Sequence, residues 1–173
     1  MIIKPATELN EFLQIHQLNY QTFVEEIPHH EQNDERKLVD RFHYKNKYIV
    51  ARRAEKVIGM VCYNWERPFS LDEKLNDLDN YLPQYSKLAE IRLLSVCREE
   101  RKTTIAYRLL RDLCVRLIAS GTDAAVISGT TRQLRLYERM GFVPFGPLLG
   151  KNDAFFQPMY ITLKNLRNDF KKD

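Results

Sequence analysis

Glu90 stands inside the apolar run LAEIRLLSV, and the basic segment Arg101-Lys102-Thr103-Thr104-Ile105-Ala106 leads from that run into an expected helix. A carboxylate on a strand can serve as a general base. A loop entering a helix leaves backbone NH groups unpaired at the positive end of the macrodipole, which suits a phosphate. Arg101 or Lys102 would add charge-assisted contacts there. One continuous unit thus carries a candidate base and a candidate anion cradle. Each feature also has a plain structural reading. Glu90 can pair with Arg92 on the same strand face, and the glycine-free loop can be a solvated turn.

These residues need a frame. Ile2-Ile3-Lys4 reads as a short strand, and Thr7 as the cap of a helix with Leu9, Phe12, Leu13, His16 and Tyr20 at helical spacing. A second helix is expected over 33–44, with Leu38, Val39 and Phe42 on one face. Residues 48–53 and 57–65 read as a hairpin turning at Glu55-Lys56. The segment 66–84, with Pro68 and Pro83, is long for a connection and is expected to hold a short amphipathic helix. A strand over 87–96, a helix over 103–120, a strand over 123–128 and a short helix over 131–140 follow. Gly121 and Gly141 close the two helices. Residues 142–145 and 156–163 read as the last strands. The order implies an α/β (α+β) domain with a mixed sheet covered on both sides.

The 173 residues are expected to form one domain, with 164–173 a tail or linker. A net charge of +4, with basic residues spread along the chain, permits an anionic ligand without arguing for nucleic acid. Cys62, Cys97 and Cys114 lack metal-ligand spacing, and His16, His29, His30 and His43 do not converge in sequence, so no metal is expected. No run approaches the length of a membrane span, and the expected location is the cytoplasm.

From Tyr48 to Leu163 the chain resembles the Gcn5-related N-acyltransferase (GNAT) superfamily. The likeness rests on a hairpin, a strand ending in Val96, the loop Arg101 to Ala106, a helix, the strand DAAVISG, and Leu136-Tyr137-Glu138-Arg139-Met140-Gly141-Phe142. The resemblance implies a mostly antiparallel sheet of six to seven strands with helices on both faces. It also implies that amides from Lys102 to Ala106 bind the pyrophosphate of acetyl-CoA or another acyl-CoA. Thr104 stands where the family usually has glycine, so the loop has to avoid a left-handed backbone there.

The likeness also assigns roles. Glu90 resembles the strand glutamate of the histone-acetyltransferase branch, and Tyr137 the tyrosine that protonates the departing thiolate. The alternative role of Tyr137 is packing beside Phe142. A backbone NH near Leu94, Ser95 or Val96 would meet the oxyanion. Ser128 and Thr131 either contact the cofactor arm or cap the short helix. Phe23, Glu26 and His29 are expected at the acceptor pocket, with Tyr63 and Trp65 continuing its wall; otherwise they form a linker and packing residues. The implied reaction moves an acyl group, with acetyl leading, onto a primary amine of a small molecule, in a monomer or homodimer. A weaker resemblance is to the branch that makes N-acyl amino acids or acyl-homoserine lactones. Enzymes of that branch take long chains from acyl carrier protein. A non-catalytic acyl-CoA-binding domain is the third reading.

Overall fold

The computed structural model describes residues 1–166, which fall into two compact units. Residues 1–63 with 92–113 form the first, and residues 64–91 with 114–166 form the second.

In the first unit β1 (Ile2–Pro5) leads to α1 (Leu9–Tyr20), which continues as a π-helical turn, Gln21–Glu26. The helix start differs in detail from the expectation at Thr7. Glu11 Oε2 accepts the NH groups of Thr7 and Glu8 at 2.8 and 3.1 Å, and the buried Glu11 carboxylate also takes Lys4 and Arg52. The expected hairpin is present as β2 (Lys47–Arg53) and β3 (Lys56–Asn64), turning through Ala54 at φ +49°. Paired residues point the same way, so Tyr48, Val50, Met60 and Cys62 share one face, and Ile49, Ala51, Gly59 and Val61 the other. Phe12 of α1 meets Tyr48 edge-on at 6.0 Å. A Cβ on Gly59 would lie 3.0 Å from Leu109 and 3.1 Å from Ile105, in the first half of α2 (Ile105–Ala119). Helices therefore cover both faces. The second of these close approaches is possible because residue 59 has no side chain.

No helix forms over 33–44. Arg36 turns to φ +51°, and the Asp40 carboxylate accepts the Phe42 NH, the Asn46 amide and the Arg92 guanidinium. Side chains that bond the local backbone compete with helix formation, and here the competition wins.

In the second unit the N-terminal half of β4 (Leu88–Val96) pairs in parallel with β5 (Ala124–Thr130), matching Leu88 to Ala124 and Glu90 to Val126. After α3 (Leu134–Met140) come β6 (Val143–Pro144), β7 (Leu149–Lys151) and β8 (Ala154–Thr162). β8 runs antiparallel to β5, β6 and β7. The described residues hold eight strands, one more than expected, because β7 forms within the Gly/Pro-rich turn. The sheet order is β1-β2-β3-β4 in the first unit and β4-β5-β8-β6 in the second.

Segment 66–84 folds without an α-helix. Its apolar residues Phe69, Leu71, Leu75 and Leu78 pack with Leu88, Ala124 and Val126, while Arg67 gathers Asp72, Asp79 and Tyr85. The chain wraps around one guanidinium because each carboxylate finds a stronger partner there than a helix face offers. Among the described residues no helix is long and apolar enough to cross a membrane. The expected tail lies mostly outside the described residues; its first two, Lys164 and Asn165, belong to a short 3-10 turn that begins at Leu163.

Candidate functional site

The strand–loop–helix junction of the first unit is built as follows. β4 is interrupted at Leu93, whose φ of +57° breaks the extended run of a strand otherwise regular to Val96. A leucine held there is strained by about 1–3 kcal/mol, and such residues persist only when their surroundings fix them. Ser95, two residues on, is buried with no hydrogen-bond partner for its hydroxyl among the described residues. The chain then makes a 3-10 turn at Arg98–Glu100 and enters α2 at Ile105.

Within that loop the Thr103 hydroxyl takes the Ile105 NH at 3.3 Å, and the Arg108 NH reaches the Thr104 carbonyl at 2.9 Å. Among the described residues the NH groups of Lys102, Thr104, Ala106 and Tyr107 have no acceptor. Thr104 keeps a negative φ, so the threonine stands in the glycine position without left-handed strain. Within 102–106, therefore, the NH groups of Lys102, Thr104 and Ala106 are without acceptors, whereas Thr103 donates to the Glu100 carbonyl and Ile105 to the Thr103 hydroxyl.

The two arginines are engaged elsewhere. Arg101 donates from Nε to the Val96 carbonyl at 3.0 Å and forms a forked pair with Glu26 at 2.6 and 2.7 Å. Arg98 Nε reaches the same carboxylate at 3.1 Å. Burial by itself would raise the Glu26 carboxyl, but the two arginines outweigh it and hold the group below the usual carboxylate range. Glu26, expected at the acceptor pocket, is thus joined to the loop. Phe23 and His29 stack on each other at 6.2 Å. Tyr63 shares the Gly59 face that α2 covers, whereas α1 packs over the Tyr48 face, so Tyr63 is not brought to Phe23.

In the second unit Tyr137 is 3% exposed and packs edge-on against Phe142 at 5.9 Å. Its hydroxyl has no hydrogen-bond partner among the described residues, and burial pushes the phenol well above its ordinary value. The ring lies on the Gly129 and Met159 side of the sheet: a Cβ on Gly129 would sit 2.9 Å from it. Glycine in the strand is what lets the ring approach. Gly129→Ala is accordingly expected to push Tyr137 aside, costing about 1–3 kcal/mol of stability. A denaturant titration checks this.

Glu90 lies on the other face, in line with Leu88 and opposite Val126. Its buried carboxylate accepts the Ser70 NH at 3.0 Å, the Ser70 hydroxyl at 2.8 Å and the Leu71 NH at 3.1 Å. Arg92 bonds Asp40. Glu90 and Tyr137 are therefore separated by the sheet. Ser128 Oγ is buried without a described partner. Thr130 and Thr131 do not cap the following helix: no side-chain capping bond is made at Thr130, nor at Gln133 before α3. Trp65 donates to Thr122 Oγ1 at 2.8 Å, with Lys87 over its ring. That is the start of β5, roughly 20 Å along the strand from Ser128 at about 3.3 Å per residue.

Sequence reasoning missed Glu26 as the partner of Arg98 and Arg101, since nothing in spacing joins residues so distant. It also missed Leu93, because leucine carries no signal of a left-handed backbone. Gly129 could have been found, as an isolated glycine in a strand marks a close approach. Among the described residues no group of three or more His, Cys, Asp or Glu is placed to hold a metal ion.

The acetyltransferase (GNAT) family matches residues 10–142. No curated protein matches the chain in sequence. Among solved structures, a CoA-dependent acyl-homoserine lactone synthase, BjaI, superposes with a TM-score of 0.77 at 19% identity, over 94% of this chain and 80% of that one. FeeM, an N-acyl amino acid synthase from uncultured soil microbes, gives 0.73 at 13% identity, over 96% and 93%. An N-acetyltransferase from Staphylococcus aureus Mu50 gives 0.65 at 20% identity, over 94% and 98%.

Proposed function

The chain belongs to the acetyltransferase (GNAT) family, and from that premise we propose that it moves an acyl group from acyl-CoA to a primary amine of a small molecule. The observation that carries this is the set of partnerless NH groups at Lys102, Thr104, Ala106 and Tyr107, at the mouth of α2. They offer neutral, fixed donors to a pyrophosphate, strengthened by the helix macrodipole. Acyl-CoA supplies a thioester, whose carbonyl carbon the amine attacks; the C–N bond forms, the C–S bond breaks, the thiolate takes a proton and the amine nitrogen loses one to water.

The protein's own part is to bind, orient and supply a proton. Tyr137, neutral, holds its phenolic proton for the thiolate that leaves. The loop NH groups hold the phosphates, and the left-handed turn at Leu93 re-aims the backbone of β4 in front of them.

Acetyl is the leading donor. A longer acyl chain is the second reading, favoured by the fold likeness to a CoA-dependent acyl-homoserine lactone synthase and an N-acyl amino acid synthase. Calorimetric titration with acetyl-CoA, octanoyl-CoA and an octanoyl acyl carrier protein separates them. Micromolar binding of acetyl-CoA is the expected result. Binding of octanoyl-CoA alone moves the assignment to long-chain transfer from CoA, and binding of the carrier protein alone makes that protein the donor. Binding of none overturns the proposal.

A further inference from the structure

We infer that Glu26 is an internal competitor for the donor phosphates: it occupies Arg98 and Arg101 until an anion at the loop takes them over, and so sets donor affinity. The inference rests on the pyrophosphate reading of the loop. Three observations carry it.

The Glu26 carboxylate is 7% exposed and receives Arg101 at 2.6 and 2.7 Å and Arg98 at 3.1 Å. Two carboxylate oxygens bound by forked guanidinium donors have the donor pattern of a phosphate held by the same groups. The arginines also belong to the loop whose NH groups lack acceptors, beginning at Lys102. Lys102 itself has no ion-pair partner among the described residues, so that cation is free to meet a ligand while the neighbouring arginines are neutralised. A phosphate drawn to the NH groups brings more negative charge than one carboxylate, within reach of long, flexible arginine side chains. Arg98 is largely exposed and can swing without disturbing the core. Arg101 keeps its bond to the Val96 carbonyl through Nε while its other two nitrogens change partner.

Glu26 also closes the π-helical turn, where the Ile27 NH bonds the Thr22 carbonyl at 2.9 Å. Single π turns are uncommon and cluster at functional sites. The carboxylate ties that turn to the loop, so its displacement loosens residues 22–27. That segment includes Phe23 and ends just short of His29, the residues expected on the acceptor side.

The test compares wild type with Glu26→Gln in calorimetric titrations of inorganic pyrophosphate and CoA, each repeated with Arg98→Gln and Arg101→Gln added. Tightening of both ligands by about tenfold in Glu26→Gln, abolished in the arginine-free background, is the expected result. Unchanged or weaker pyrophosphate binding overturns the inference, and CoA binding by the wild type then leaves the functional reading standing. Tighter pyrophosphate with no CoA binding in either protein upholds the competition and overturns the donor assignment. Amide exchange on the wild type serves as a second readout free of any folding defect. Pyrophosphate is expected to speed exchange at Ile27, and protection that rises or stays constant counts against the inference.

Discussion

Tyr137→Phe is expected to lower kcat by about 10²–10³-fold while leaving the donor KM within about twofold. The hydroxyl is the only atom removed, and among the described residues it bonds nothing, so the fold loses no described hydrogen bond. The ring keeps its seat against Gly129, Met159 and Phe142, and stability is expected to change by less than about 1 kcal/mol. A residue that only packs would give the opposite pattern, with full activity in the Phe variant. The pH dependence follows from burial. The phenol of the folded protein ionises well above the ordinary value of 10.0, so its proton stays available throughout the range in which the enzyme is assayed. No alkaline limb below pH 10 belongs to Tyr137. The raised value has a stability consequence of definite sign: it costs nothing below pH 10, and stability is lost as pH rises beyond that, where the unfolded phenol ionises and the folded one resists. Rate against pH for wild type, together with unfolding at pH 9 and 11 for both proteins, tests the assignment.

The order of elements around that tyrosine was legible because local patterns decide them. The hairpin, the strand before the loop, the helix stopped at Gly121 and the short helix closed by Gly141 at φ +97° all follow from periodicity and glycine placement. Two expected helices failed for a shared reason. In 33–44 and in 66–84 the apolar spacing suits a helix, but Asp40 and Asp72 bond an arginine and nearby backbone, and Asp79 bonds Arg67 and Tyr85. An arginine distant in sequence, such as Arg92 for Asp40, leaves no trace in a window of helical length. The site divides along the same line. The loop amides depend on where a helix starts, which sequence reveals; the engagement of Arg98 and Arg101 by Glu26 depends on tertiary placement, which it does not. Glu90 is the sharpest instance. A carboxylate in an apolar strand reads equally as a base or as half of an ion pair, and three of its donors were hidden in a segment expected to be helical.

Those three donors make Glu90→Gln the most informative substitution for stability. Oε1 takes the Ser70 NH, while Oε2 takes both the Ser70 hydroxyl and the Leu71 NH. Glutamine has the same shape but turns one oxygen into an NH2 group. Whichever way it is oriented, that group faces a backbone NH, donor against donor, at a residue 1% exposed. A buried donor left without its acceptor costs about 1–3 kcal/mol, and charged acceptors stand at the upper end, so a loss of about 2–3 kcal/mol is expected. The loss is expected to centre on segment 66–84, because Phe69 and Leu71 enter the core beside the two residues that Glu90 holds. Denaturant unfolding measures the cost, and amide exchange at Ser70 and Leu71 locates it. Kinetics then separate anchoring from proton transfer. An anchoring carboxylate leaves the pH–rate profile of the folded variant unshifted, with a reduced melting temperature. A general base would instead give a stable variant whose rate has lost its acidic limb. The sheet between Glu90 and Tyr137 favours the first outcome, since the group that takes a proton from the amine and the group that gives one to the thiolate would otherwise have to act from opposite faces of the second unit.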